Sequence, residues 1–116
     1  RYIHILVPCP LGWGVPSART VEMARLAMET GVFPVFEAEY GEVTGVKKIR
    51  HLHPVEDYLK PQKRFAHLFG KRANPAVLAR LQAEADRNVR KFGLLADDEA
   101  DDIPAPNVAA ERANLV

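Results

Sequence analysis

One sulfur atom dominates the chemistry this chain can offer. Cys9 is the sole cysteine in 116 residues, and it stands between two prolines in the run Pro8-Cys9-Pro10-Leu11-Gly12-Trp13-Gly14-Val15-Pro16. A cysteine there has three readings. As a nucleophile it needs a histidine within reach to take its proton, and His4, His51, His53 and His67 are the candidates. As a metal ligand it needs company, because a [4Fe–4S] cluster takes four thiolates and this chain supplies one. As a structural residue it is a small buried hydrophobe, the usual state of an unpaired cysteine. His51-Leu52-His53 sets two imidazoles on one face of an extended segment, a spacing that metals use. Without a third ligand they read more simply as solvated loop histidines. Trp13, flanked by Gly12 and Gly14, either packs beneath the loop or touches a ligand.

The elements around Cys9 follow from periodicity and punctuation. Tyr2-Ile3-His4-Ile5-Leu6-Val7 is rich in β-formers and apolar on both faces, which predicts a buried strand of a parallel sheet ending at Pro8. Three prolines and two glycines then exclude regular structure over Pro8–Pro16. That places a shaped loop at the carboxyl end of a strand, where ligands sit in open α/β sheets. A helix is expected from an N-cap at Thr20 to a C′ residue at Gly31. Its polar stripe of Glu22, Arg25 and Glu29 is narrow, so most of its circumference should be buried. Val32–Tyr40 and Val43–Arg50 predict a hairpin turning at Gly41-Glu42, with Pro34 near the start of the first strand. Pro54 suits N1 of a short helix over Val55–Leu59. Pro61 restarts the chain for a segment from Gln62 to Phe69, and Phe65 and Phe69 form a packing face with Leu68. Asn74-Pro75 opens a longer helix that Gly93 closes, with an apolar stripe of Leu78, Leu81, Ala85, Val89 and Phe92.

Composition narrows the class. With 47% hydrophobic and 27% charged residues the chain suits a single small globular domain, not a disordered segment. No apolar run approaches the ~20 residues of a membrane helix, and no signal peptide opens the chain. One cysteine forms no internal disulfide, which fits a reducing compartment. The chain starts at Arg1 almost within a strand, so it reads as part of a longer polypeptide. One buried strand, a hairpin and three helices do not complete a parallel sheet; the missing neighbours are expected from preceding sequence or another subunit. The net charge of +1 is unevenly spread. Residues 47–72 hold eight basic side chains against Glu56 and Asp57, whereas Asp97-Asp98-Glu99-Ala100-Asp101-Asp102 opens an acidic end. The basic stretch predicts a solvated face able to meet an anionic partner. It carries no nucleic-acid recognition motif.

Four stretches share a further property. Ile5-Leu6-Val7-Pro8-Cys9-Pro10-Leu11-Gly12-Trp13-Gly14 resembles a motif of the thiamine-diphosphate-binding β subunit of 2-oxoacid:ferredoxin oxidoreductases. Ala24–Gly31, Pro54–Lys60 and Gln62–Leu68 match the same family in order. Met28 replaces the family's common Val, Lys63 its usual Gly, and Glu42–Arg50 is a longer insert. The resemblance implies an α/β fold: residues 1–95 as the carboxyl-terminal part of a thiamine-diphosphate-binding domain with a mostly parallel sheet, plus a hairpin and helical extension. Residues 96–116 are then an acidic tail that is flexible or contacts a partner. It implies an enzyme that oxidatively decarboxylates a 2-oxoacid, pyruvate or an aryl member such as phenylglyoxylate. Electrons pass through [4Fe–4S] clusters to ferredoxin or an NAD-linked subunit, and coenzyme A takes the acyl group. Cys9 is implied as the fourth ligand of the cluster nearest the thiamine, with three cysteines from elsewhere in the subunit. Thiamine diphosphate and Mg²⁺ are held mostly by residues outside this segment, which alone is inactive, and the setting is a cytoplasmic multi-subunit complex. The alternative is a noncatalytic module that docks an acidic protein or nucleic acid through residues 47–72.

Overall fold

The computed structural model describes residues 1–97; the proposed acidic tail lies almost wholly outside the described residues. In chain order the elements are α1 (Pro10–Trp13), a 3₁₀ turn (Ser17–Arg19), α2 (Thr20–Glu29), β1 (Phe36–Glu39), β2 (Glu42–Val46), α3 (Val55–Leu59), a second 3₁₀ segment (Lys63–Leu68) and α4 (Pro75–Phe92).

The long helix α4 forms as its sequence predicts. The Asn74 side chain accepts the Ala76 N–H at 3.0 Å, Pro75 occupies N1, and Gly93 closes the helix in the left-handed conformation. The start of α2 differs from expectation. Arg19 is the N-cap residue, and Thr20 donates its hydroxyl to the Ser17 carbonyl at 2.7 Å instead of capping. The preceding 3₁₀ turn supplies that carbonyl, so the hydroxyl finds a partner behind it. Arg19 also grips Glu22 with two hydrogen bonds of 2.7 Å. These hold the Glu22 carboxyl below its ordinary range, and the contact is lost as pH falls through that lowered value. Pro54 likewise sits at N-cap and not at N1. The first N–H of α3, on buried Val55, is accepted by the Gln82 side chain of α4 at 2.9 Å, satisfying a donor the short helix cannot satisfy itself.

Two apolar clusters result. The larger joins Met23, Leu26 and Ala27 of α2 to Val55, Tyr58 and Leu59 of α3 and Ala85 of α4, with Phe65, Leu68 and Phe69 packed against it. The smaller joins Ile49, Val89, Leu94 and Leu95. Each fully buried Met, Val or Ile contributes about 1.5–3 kcal/mol by leaving water. Only one face of α2 is buried, and Val21 is 72% exposed. The narrow polar stripe overstated its burial because nothing among the described residues covers the opposite side.

The sheet departs most from expectation. Phe36–Glu39 and Glu42–Val46 form a two-stranded antiparallel hairpin, shorter than predicted, turning through Tyr40 (φ 52°) and Gly41 (φ 86°). A single parallel bridge joins Ile49 to Leu95. The predicted strand Tyr2–Val7 forms no ladder among the described residues, and Ile3 and Ile5 are 81% and 72% exposed. A strand needs neighbours to satisfy its backbone, and residues 1–97 offer this one none. The mostly parallel sheet is therefore not seen within the described residues.

Gly31 tests how closely the two long helices approach. At φ 78° a Cβ on it would lie 2.5 Å from Val89 Cγ2 and 2.8 Å from the Ala85 carbonyl oxygen, whereas nothing lies within 4 Å at Gly93 (φ 57°). Both Ala variants incur left-handed strain of about 1–2 kcal/mol. Gly31→Ala adds overpacking of about 1–3 kcal/mol. Denaturant unfolding of the complete subunit should rank Gly31→Ala as the costlier change by that margin; equal losses would contradict the close approach.

Candidate functional site

Among the described residues Cys9 is an exposed free thiol and belongs to neither apolar cluster. It is the N-cap residue of α1, so Pro10–Trp13 makes one helical turn where irregular chain was expected. Pro10 at N1 needs no N–H partner, so proline is compatible with that turn. The Gly12 N–H donates to Cys9 Sγ at 3.4 Å, and a Cβ on Gly12 would sit 3.3 Å from the sulfur. Glycine therefore lets the backbone come up beneath the thiol. Trp13 N–H bonds the Cys9 carbonyl at 2.9 Å, and Gly14 ends the turn in the left-handed conformation.

The turn is clamped from below by α3 and the segment after it. The Trp13 ring meets the Tyr58 ring edge-on, with centroids 6.4 Å apart and planes at 88°. The Arg64 guanidinium lies over Trp13 at 4.0 Å and over Phe65 at 4.6 Å. Arg64 is itself fixed: its Nε donates to Gln62 Oε1 at 2.7 Å, and Gln62 Nε2 donates to the Tyr58 carbonyl at 2.6 Å. Gln62 is fully buried, so both ends of its amide must be satisfied, as they are. A guanidinium–aromatic contact at such a position contributes about 0.5–1 kcal/mol. A backbone clasp completes the clamp, the Lys63 N–H donating to the Gly14 carbonyl at 3.3 Å.

Two of the histidines have partners other than Cys9. His4 meets Phe33 edge-on, with centroids 5.1 Å apart. His53 Nδ1 lies 3.0 Å from Asp57 Oδ2 and its Nε2 3.9 Å from Glu29, so it ties α2 to α3 and does not serve Cys9. No group of three or more His, Cys, Asp or Glu able to hold a metal ion occurs among the described residues. His51 is exposed, whereas His53 is half-buried beside the Asp57 and Glu29 carboxylates. No helix of the described residues is long and apolar enough to cross a membrane. Of the eight basic residues in 47–72, Lys48 bonds the Gly93 carbonyl, Lys60 pairs with Glu56, and Arg64 is stacked.

The donor set fits one corner of an iron–sulfur cluster and no more. A single exposed thiol is held at a proline-bounded turn with a backbone N–H aimed at it, the hydrogen bonding that tunes cluster sulfur. The other three thiolates must come from outside this chain, which has no second cysteine. The sequence singled out Cys9 and Trp13 but not Tyr58, Gln62 and Arg64 as their supports. A glycine-flanked tryptophan followed about fifty residues later by Gln-Lys-Arg-Phe carries no local mark of contact.

No family model matches the chain; curated proteins do. It is 46% identical over 93 residues to pyruvate synthase subunit PorB of Methanosarcina barkeri, taking in 80% of this chain and 31% of that protein. It is 40% identical over 94 residues to the PorB of Methanocaldococcus jannaschii, covering 81% of this chain and 30% of that one. Ketoisovalerate oxidoreductase subunit VorB of Pyrococcus abyssi is 39% identical over 69 residues, 58% of this chain and 22% of its own length. The chain belongs with the β subunits of the 2-oxoacid:ferredoxin oxidoreductases. It spans about a third of the length of the PorB relatives it matches.

Within this β-subunit segment the tightest contact of the clamp is Gly14 against Lys63. At φ 67° a Cβ on Gly14 would lie 2.6 Å from Lys63 Cβ. Gly14→Ala should destabilise the turn by about 2–5 kcal/mol through strain and overpacking. Lys63→Gly removes the opposing Cβ, so the double variant should recover part of that loss, with a coupling of about 0.5–3 kcal/mol. A double-mutant cycle by thermal unfolding measures it. Strict additivity would show that the two residues do not touch.

Proposed function

We propose that this chain is the part of a 2-oxoacid oxidoreductase β subunit that presents Cys9 as one thiolate ligand of a [4Fe–4S] cluster. The observation that carries the reading is an exposed thiol at the tip of a turn clamped on its inner side, in a chain similar to PorB and VorB. When bound in the complete enzyme, thiamine diphosphate with Mg²⁺ supplies the carbanion chemistry of 2-oxoacid decarboxylation, and iron–sulfur clusters carry the electrons singly toward ferredoxin or an NAD-linked subunit.

The chain's own residues do the positioning. Pro8 and Pro10 restrict the backbone on either side of the ligand. Gly12 brings an N–H to sulfur, withdrawing electron density from the thiolate and favouring the reduced state of whatever it binds. Trp13 keeps the inner face of the turn dry against Tyr58. No residue here is assigned to thiamine diphosphate or Mg²⁺, which this reading leaves to other parts of the subunit. The substrate is assigned only as a 2-oxoacid, since relatives named for pyruvate and for ketoisovalerate both match. In this reading residues 1–95 are the carboxyl-terminal part of a thiamine-diphosphate-binding domain and residues 96–116 an acidic tail. Other subunits of a cytoplasmic complex, with coenzyme A as acyl acceptor, complete the enzyme.

A second reading, compatible with the first, is supported by charge. Lys47, Arg50, Lys63, Lys71 and Arg72 are exposed and make no ion pair among the described residues. They suit docking of an acidic protein such as ferredoxin.

The ligand assignment is tested in the complete, anaerobically purified enzyme. Cys9→Ser should abolish or alter one reduced-cluster EPR signal and lower bound iron, while the subunits still assemble. Unchanged iron content and an unchanged spectrum would refute it.

A further inference from the structure

Arg64 is an exposed residue whose side chain is nonetheless held at two points. Its Nε is committed to Gln62 Oε1 at 2.7 Å, and Gln62 is fully buried with its other amide atom on the Tyr58 carbonyl. Its guanidinium carbon lies over the Trp13 ring, 4.0 Å from the centroid. Trp13 in turn donates its backbone N–H to the carbonyl of Cys9. A chain of contacts therefore runs from the protein interior through one guanidinium to the residue that bears the thiol. Lysine cannot reproduce it, because the path needs a flat group that stacks on one face and donates from its edge. Arg64 also makes no ion pair among the described residues, so its charge is left uncompensated beside the turn. A guanidinium stays protonated at any working pH.

We propose that Arg64 is the positioning residue of the Cys9 turn: through Trp13 it fixes the direction of the sulfur, and its unpaired charge biases the group that sulfur holds toward the more reduced state. The second half rests on the reading of Cys9 as a cluster ligand; the first half does not. The bias has a definite sign. Reduction adds negative charge to the cluster, and a fixed cation nearby stabilises the product more than the reactant. Loss of Arg64 therefore moves the midpoint potential to more negative values.

The experiment compares Arg64→Gln and Arg64→Lys in the complete, anaerobically purified enzyme, with Cys9→Ser identifying the cluster signal concerned. Two readouts are taken besides turnover: EPR line shape and midpoint potential of that signal, and the iodoacetamide labelling rate of the Cys9 peptide after iron removal, read by mass spectrometry. Both variants should broaden the line and speed labelling several-fold, because the turn is no longer held. Only Arg64→Gln should shift the midpoint, to more negative values, because Arg64→Lys keeps the charge. Wild-type line shape and labelling in both variants would overturn the positioning role. An unshifted midpoint in Arg64→Gln would overturn the electrostatic one. If Cys9→Ser leaves every cluster signal intact, the ligand reading fails and the electrostatic half with it, while the labelling rates still decide whether Arg64 positions Cys9.

Discussion

A tryptophan held between a tyrosine edge and an arginine face determines where the chain's one thiol points. The rest of the described structure can be understood as support for that stack. Tyr58 is placed by α3, and α3 is placed by Gln82 of the long helix, which accepts its first free N–H. Gln62 leaves the end of α3 with its own N–H on the Leu59 carbonyl and its side chain turned inward, so that Arg64 emerges aimed at Trp13. The helix α2, anchored through Met23, Leu26 and Ala27, closes the same apolar cluster on which the turn rests. A ligand loop must hold its sulfur to within a fraction of an ångström, and loops hold position poorly unless side chains from regular elements fix them.

Much of the frame was legible in the residues because it is local. Asn74-Pro75 and Gly93 mark both ends of α4 by backbone chemistry that depends on no distant partner. Gly31 after the apolar run and Gly41 in the hairpin turn are of the same kind. Where the reading failed, the deciding partner was remote or absent. Thr20 gave up its capping role to a 3₁₀ carbonyl that no helix signature announces. Pro54 stands just outside the helix, and the Val55 N–H that follows it is accepted by a side chain 27 residues away. The width of the apolar face on α2 implied covering layers that residues 1–97 do not contain.

The same absence explains the exposed strand sequence at the start of the chain. Tyr2–Val7 has the composition of a strand buried on both faces, yet stands mostly in solvent. Its composition predicts cover on both faces, and the described residues supply little of it. The site divides along the same line. Cys9 stands out by residue type and neighbours alone, and the ligand role proposed for it rests on resemblance. The supports came only from geometry, since Trp13, Tyr58 and Arg64 are brought together across about fifty residues of chain with no shared periodicity.

A bond between Cys9 sulfur and iron is tested most directly by diffraction at the iron absorption edge from crystals of the complete assembled protein. An anomalous peak within bonding distance of Cys9 Sγ, with the Gly12 amide directed at that sulfur, is the result expected. Iron located only at other cysteines, with Cys9 facing solvent or protein, would contradict it.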